Sequence, residues 1–247
     1  MKKSKSDRRP TGIMTVWNTL NNLHDGLLVV VFAVLVLTAG YCLWDGVYVM
    51  SHAADPSLLR YKPGASTRQD GAVSPITDEQ IGWLTVEGTG MDYPLMQGED
   101  NYVFLNRDPY GKFSLSGSIF LDSRCRPDFS DAYALIYGHH MEFGRMFGAL
   151  DAFLDEKYLR AHSHGTLLLG RDGSRRLELE FFAAMRADAR DRTLFSPAED
   201  TASDVAAAIR KRADVLVSEP SKRLVALTTC ADDSTEGRLL VFANVTG

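Results

Sequence analysis

Cysteine is scarce in this chain: Cys42, Cys125 and Cys230 are the only three, and they lie far apart. That spacing offers no disulfide framework. Strong charge of either sign is also missing. A net charge of -5 gives no basic footprint for nucleic acid, so no nucleic-acid partner is expected. No internal repeat is visible. What remains, at 247 residues with ordinary aromatic and aliphatic content, is one medium globular domain plus appendages.

Charge is absent altogether from Gly26 to Trp44, a run rich in Leu, Val and Phe. As a helix it would extend about 28 Å, close to the hydrocarbon thickness of a bilayer. Lys2, Lys3, Lys5, Arg8 and Arg9 precede it against a single acid, Asp7, which predicts the N-terminus inside the cell and the rest of the chain outside. A cleaved leader is the rival. The run starts late, is long for a leader, and no Ala-x-Ala site follows it. An uncleaved single-pass anchor fits better. Residues 1–25 then form a basic cytoplasmic tail, 26–44 the membrane anchor, and 45–77 an extracellular tether with some helix. The scattered apolar residues Met14, Trp17 and Leu20 suit a short interfacial helix within 11–23. Val47 to Arg60 is compatible with a helix, and Lys62 to Thr67 is rich in breakers.

From residue 78 onward the text is largely β. Trp83 to Glu87, Ser118 to Asp122, Tyr133 to Tyr137 and Gly165 to Gly170 are short apolar runs between turn signals, and Leu177 to Phe181 alternates. Helical spacing appears twice, over Phe147 to His162 and, with Ser203 as N-cap, over Asp204 to Ala213. Many short strands and few helices predict a closed β-barrel or a sandwich.

The chemistry gathers near the C-terminus. Leu224 to Thr229 is an apolar, β-branched run that stops at Cys230, as a buried strand would deliver a thiol to its end. After a polar turn a second apolar run begins with Gly237 and Arg238. Antiparallel pairing of the two would bring Arg238 beside Cys230. A guanidinium there favours the thiolate and offers donors to a developing oxyanion. The leaving group needs a proton donor, and Tyr133 to Tyr137 is a further apolar run, ending in Gly138-His139.

These segments resemble the sortases, membrane-anchored cysteine transpeptidases of Gram-positive bacteria, and class B most of all. The resemblance rests on Leu227-Thr228-Thr229-Cys230, on Arg238, on Tyr137-Gly138-His139, and on three further segments. These are Ile81-Gly82-Trp83-Leu84, Asp92-Tyr93-Pro94-Leu95 and Ser116-Gly117-Ser118-Ile119-Phe120-Leu121-Asp122. Ala226 departs from the threonine common before the leucine. The resemblance implies a mostly β fold, the sortase-type closed barrel with a few helices, over 78–247. It also implies a helical N-terminal appendage after the transmembrane helix, and a second helix in a long loop beside the active site. By the same resemblance Cys230, His139 and Arg238 are the catalytic trio. A sorting-motif peptide of a secreted surface protein or pilin is the substrate, and a cell-wall precursor or pilin lysine supplies the acceptor amine. Asn101 and Leu105 match the segment that lines the class B peptide groove; on a helix their spacing of four would put both on one face. Thr228 is a further groove candidate.

Duller explanations stand beside these. A cysteine at a strand end is more often core than nucleophile, and His139 with Arg238 in matching contexts is what reverses those odds. His139 and His140, adjacent on an extended segment, point opposite ways, so only His139 is assigned to the site. His162 and His164 lack ligand companions, and no metal or organic cofactor is expected. Asp232 is carried as an extra site candidate that could orient the histidine, but it suits a plain turn equally. Cys125, between Arg124 and Arg126, reads as a loop residue. A cysteine protease using the same trio and a non-catalytic tethered scaffold are the competing functions.

Overall fold

The computed structural model describes residues 12–52, 56–64, 74–197, 202–230 and 237–246; the side chains of 48–52, 56 and 230 fall outside that description. The basic residues 2–9 and Asp232 therefore lie outside the described residues. The chain divides into two compact units at Tyr48.

The first unit is the body of one long helix, α1 (Gly12–His52). No proline lies between Pro10 and Pro56, so nothing removes a backbone donor along that length. The expected interfacial helix and membrane span are accordingly one continuous helix. Its stretch Gly12–Val47 is long and apolar enough to cross a membrane by length and composition, with a mean hydropathy of 2.6 in its most apolar window. Its large apolar side chains, among them Phe32, Leu35 and Leu37, are exposed.

The second unit is a barrel. Its strands are β1 (Gln80–Val86), β2 (Asp92–Met96), β3 (Ile119–Leu121), β4 (Tyr133–Tyr137), β5 (His164–Leu169) and β6 (Arg175–Asp188). Three more follow, β7 (Val215–Leu216), β8 (Leu224–Cys230) and β9 (Gly237–Thr246). Eight of them close a ring in the order β5-β1-β2-β3-β4-β8-β9-β6, sealed by the β5–β6 pairing, and β7 hangs on β6. Two neighbouring pairs, β2–β3 and β4–β8, are parallel and the rest antiparallel. Closure removes the edges that an open sheet would expose.

Alternation along the strands sorts the core into an inner and an outer set. Ala134, Ile136, Val225, Leu227, Leu239 and Val241 belong to the inner cluster, with Leu84, Leu95, Leu167 and Phe181. The alternate residues Leu135, Leu224, Ala226, Leu240 and Phe242 pack outward against α4 (Ala202–Arg212) through Val205, Ala206 and Ile209. A third cluster covers β1–β3 from outside, where Trp83, Met96 and Phe120 meet Leu58 and Phe104. Because β4 and β8 are buried on both faces, they read as unbroken apolar runs rather than alternating ones. A bulge between Phe181 and Ala183 shifts the phase of β6.

The segment 56–64 fastens to this barrel. Leu58 is buried, and the Lys62 ammonium lies 2.8 Å from the Asp92 carboxylate, which also accepts the Trp83 indole N–H at 2.6 Å. Two expected helices differ in detail. Phe147 to His162 is a 3-10 stretch (Phe147–Leu154) followed by α2 (Glu156–Ala161). Asp155 interrupts the run by capping the Tyr158 N–H at 2.9 Å and so starting a new helix. α4 begins at Ala202, so Ser203 sits in its first turn rather than at its cap. Between β6 and α4 lies the short α3 (Arg192–Phe195).

Candidate active site

Three adjacent strands deliver the three predicted residues to one end of the barrel. The parallel register of β4 on β8 pairs Tyr137 with Thr228, and the Gly138 N–H continues that ladder by donating to the Thr228 carbonyl at 3.2 Å. His139 follows directly after that last bond, just beyond the end of β4. On the other side β9 runs antiparallel, and Cys230 pairs directly with Arg238. Position 137 on β4, 228 on β8, and 238 and 240 on β9 share the parity of the outward set. Gly138 makes the passage possible: a Cβ there would lie 2.5 Å from Ile119 Cδ1 and 2.7 Å from the Phe147 ring.

His139 is partly buried, and its Nε2 lies 2.7 Å from the Leu105 carbonyl oxygen. A carbonyl only accepts, so Nε2 carries a proton in this arrangement and Nδ1 is the nitrogen left to exchange one. The backbone after it is pinned as well, since the Phe147 N–H donates to the His139 carbonyl at 3.0 Å. His140 turns to Asp151, 2.7 Å off. Arg238 is partly buried and its Nη1 donates to the Gly237 carbonyl at 3.0 Å.

The remaining candidates divide. The segment carrying Asn101 and Leu105 is a set of turns, not a helix, with a single Leu105 N–H to Tyr102 carbonyl bond of 3.2 Å. Both ends of the Asn101 amide are engaged within the protein. Its Nδ2 donates to Asp122 at 3.0 Å, and its Oδ1 accepts the Ser123 N–H at 2.8 Å. The Leu105 side chain packs on the outer Trp83–Phe104 cluster while its carbonyl holds His139. Thr228 is fully buried, and its hydroxyl has no partner among the described residues.

Sequence reasoning quoted Asp122 and Tyr137 without giving either a role. Asp122 is fully buried beside Tyr137 and accepts from Arg124 twice through the guanidinium, at 2.8 and 2.7 Å. It also accepts the Arg124 backbone N–H at 3.0 Å and the Tyr137 hydroxyl at 3.1 Å. Burial alone would raise its pKa, but the Arg124 hydrogen bonds and charge outweigh that and hold the carboxyl below its ordinary range. Burial, then the nearby Asp122 charge, pushes the Tyr137 phenol up. Cys125 sits in the inner cluster, where burial pushes its thiol up to about 12. That is the opposite of an activated nucleophile. Among the described residues no group of three or more His, Cys, Asp or Glu side chains is placed to hold a metal.

The family model for the sortase domain matches residues 84–246, from the last residues of β1 through β9. The chain belongs to the sortase family. It is 30% identical over 171 residues to sortase B of Listeria monocytogenes, covering 65% of this chain and 68% of that one. Among solved structures it is similar to a Streptococcus pyogenes class B sortase involved in pilus biogenesis. Identity there is 34%, the TM-score is 0.63, and 69% of this chain and 94% of that one are covered. Sortase B from the type II pilus of Streptococcus pneumoniae is also 34% identical, with a TM-score of 0.56 and coverage of 68% and 93%. This sortase is thus of class B, a transpeptidase, with the closed eight-stranded barrel that the resemblance implied.

Proposed function

We propose that Cys230, His139 and Arg238 carry a two-step acyl transfer at this strand end. The Cys230 thiolate attacks the threonine carbonyl of a sorting motif, and the carbonyl oxygen becomes an oxyanion. Arg238, with backbone N–H groups, stabilises that charge. Collapse breaks the peptide C–N bond, and His139 gives its Nδ1 proton to the departing amine. The thioester that remains is attacked by an amine, which loses a proton to His139 as the acyl group leaves sulfur. The observation that carries this reading is the register. Cys230 lies opposite Arg238 on β9, and its strand β8 runs beside β4, which ends two residues before His139.

The acceptor is an amine from a cell-wall precursor or a pilin lysine. Two of the similar structures, both 34% identical, are pilus sortases, which supports testing the pilin lysine first. The apolar helix is the membrane anchor in this reading, with the basic residues 2–9 inside the cell and the barrel outside.

The test uses the full chain in detergent micelles, offered peptides with Asn-Pro-x-Thr and Leu-Pro-x-Thr motifs, with and without a lysine-containing acceptor peptide. Intact mass should show an acyl adduct that is absent in Cys230→Ala and is resolved faster by amine than by water. An adduct resolved only by water makes the protein a hydrolase. Turnover that survives Cys230→Ala overturns the assignment.

A further inference from the structure

Two layers flank the strand end that carries His139. One is the connection between β2 and β3, residues 97–118, packed over Trp83 and Phe120. The other is the connection between β6 and β7, with α3 and α4, packed over β4, β8 and β9. Neither layer pairs with the β4 end through strand ladders. Side chains make the attachment, and they converge on one group.

We infer that Asp122 is a positioning residue for the reaction, fastening both layers to the segment that presents His139. Its fully buried carboxylate reaches the first layer through Asn101 Nδ2 at 3.0 Å. It reaches the second through Arg124, whose Nη2 donates both to Asp122 at 2.7 Å and to the Phe195 carbonyl of α3 at 2.8 Å. It reaches β4 through the Tyr137 hydroxyl at 3.1 Å, two residues before His139. Tyr133 repeats the tie to α3 by donating to the Leu194 carbonyl at 2.9 Å.

The two routes from Asp122 to His139 meet. One runs along the backbone from Tyr137. The other runs from Asn101 to Leu105, four residues on, whose carbonyl is 2.7 Å from His139 Nε2. The carboxylate therefore sets the direction of the peptide segment before the imidazole and the place of the oxygen that fixes its ring. The Asn101 amide spends one N–H on Asp122 and one lone pair on the Ser123 N–H, so the orientation of its plane is set within the protein. In this inference it acts through Leu105. Tyr137 stacks on Phe120, with centroids 5.4 Å apart, so its hydroxyl can be removed without emptying its packing site. A catalytic group displaced by even 1 Å costs on the order of a hundredfold, so fastening of this kind is expected to show in kcat.

This inference rests on the proposed part of His139, and two readouts keep the two apart. Tyr137→Phe, Asn101→Ala and the double variant are made in the full chain in micelles, with Asp122→Asn as a fourth if it folds. Amide hydrogen exchange needs no substrate. Protection of 101–106 and 138–140 should fall about tenfold in each variant, with 82–86 and 165–169 unchanged. In peptide transfer, kcat should fall about tenfold in Tyr137→Phe with KM within twofold, and Asn101→Ala should add little to it, because both act through one carboxylate. Unchanged protection in both single variants overturns the inference. So does lost protection with unchanged kcat, or losses in kcat that simply multiply. If the wild-type protein transfers no peptide while protection falls as stated, the proposed function fails and the fastening stands on the exchange result.

Discussion

The inner and outer faces of the same strands are equally buried and chemically unlike. Inside the barrel, Ile136, Val225, Leu227 and Val241 belong to one apolar cluster, and even the thiol of Cys125 is held neutral by burial. Outside, at the seam between the two covering layers, one strand end gathers Asp122, Tyr137, Asn101, Arg124 and His139. Polar groups survive burial there because each has a partner whose position is fixed by a different segment. The interior supplies a largely apolar frame, and the seam supplies direction. The proposed mechanism puts its three groups where strands end and side chains from several segments can reach.

That division is broken most severely by one pair of substitutions. His139→Ala should reduce peptide transfer by a thousandfold or more, on the order of what removing a general acid and its positioned proton costs, with the thermal midpoint within about 2 °C of wild type. Leu227→Ala, three residues before Cys230 but on the inner face, should do the reverse. It should lose about 2–5 kcal/mol of stability by denaturant unfolding, while the folded fraction keeps its turnover to within a few-fold. A His139→Ala protein that unfolds, or a Leu227→Ala protein that is stable but inactive, would put frame and chemistry in the same residues.

The two thiols sharpen the comparison at a smaller scale. Burial pushes the Cys125 thiol up to about 12, so it holds very little thiolate at pH 8. Cys230, beside Arg238 in register, is expected to be far more reactive. In a Cys42→Ala background, iodoacetamide at pH 8 should modify one thiol quickly, identified as Cys230 by peptide mass, and leave Cys125 unmodified until denaturant is added. Burial also has a consequence for stability. The folded protein keeps the Cys125 proton while the unfolded chain loses it above about pH 9, so stability should fall between about pH 9 and 12. Cys125→Ala should flatten that limb.

Much of this was legible in the sequence because the β4 and β8 runs are buried on both faces. Leu224 to Leu227 and Tyr133 to Tyr137 are dense apolar words, and each runs on within a few residues to a proposed site residue, Cys230 and His139. The position of Arg238 followed from a single hairpin assumption. What stayed hidden depends on approach in space. Asp122 closes an apolar strand and by itself reads as a turn residue; nothing local says that Asn101, Arg124 and Tyr137 will meet on it. The turn geometry of 101–105 was likewise concealed, because the spacing of Asn101 and Leu105 fits a helix face as well as a loop. The long helix hid its continuity behind the polar residues Asn18, Asn21, Asn22, His24 and Asp25, which interrupt the apolar text but not the backbone.

The smallest expected effect concerns the one polar group of the outer face that the seam leaves unserved. Thr228 is fully buried, two residues before Cys230, and its hydroxyl lacks a partner among the described residues. A buried hydroxyl without a hydrogen bond is a net cost, and valine has nearly the same shape without it. Thr228→Val should therefore leave stability unchanged or raise it by about 0.5–1 kcal/mol, where a partnered hydroxyl removed in the same way would lower it. Denaturant unfolding reads this directly. Transfer kinetics on the same protein then decide what the hydroxyl is for. KM for the sorting peptide within twofold of wild type makes Thr228 part of the frame, a polar exception on a buried strand. A stability gain accompanied by a rise in KM of about tenfold would show that the hydroxyl finds its partner in the bound peptide, so that the unfilled bond in the free enzyme is a binding group held in reserve.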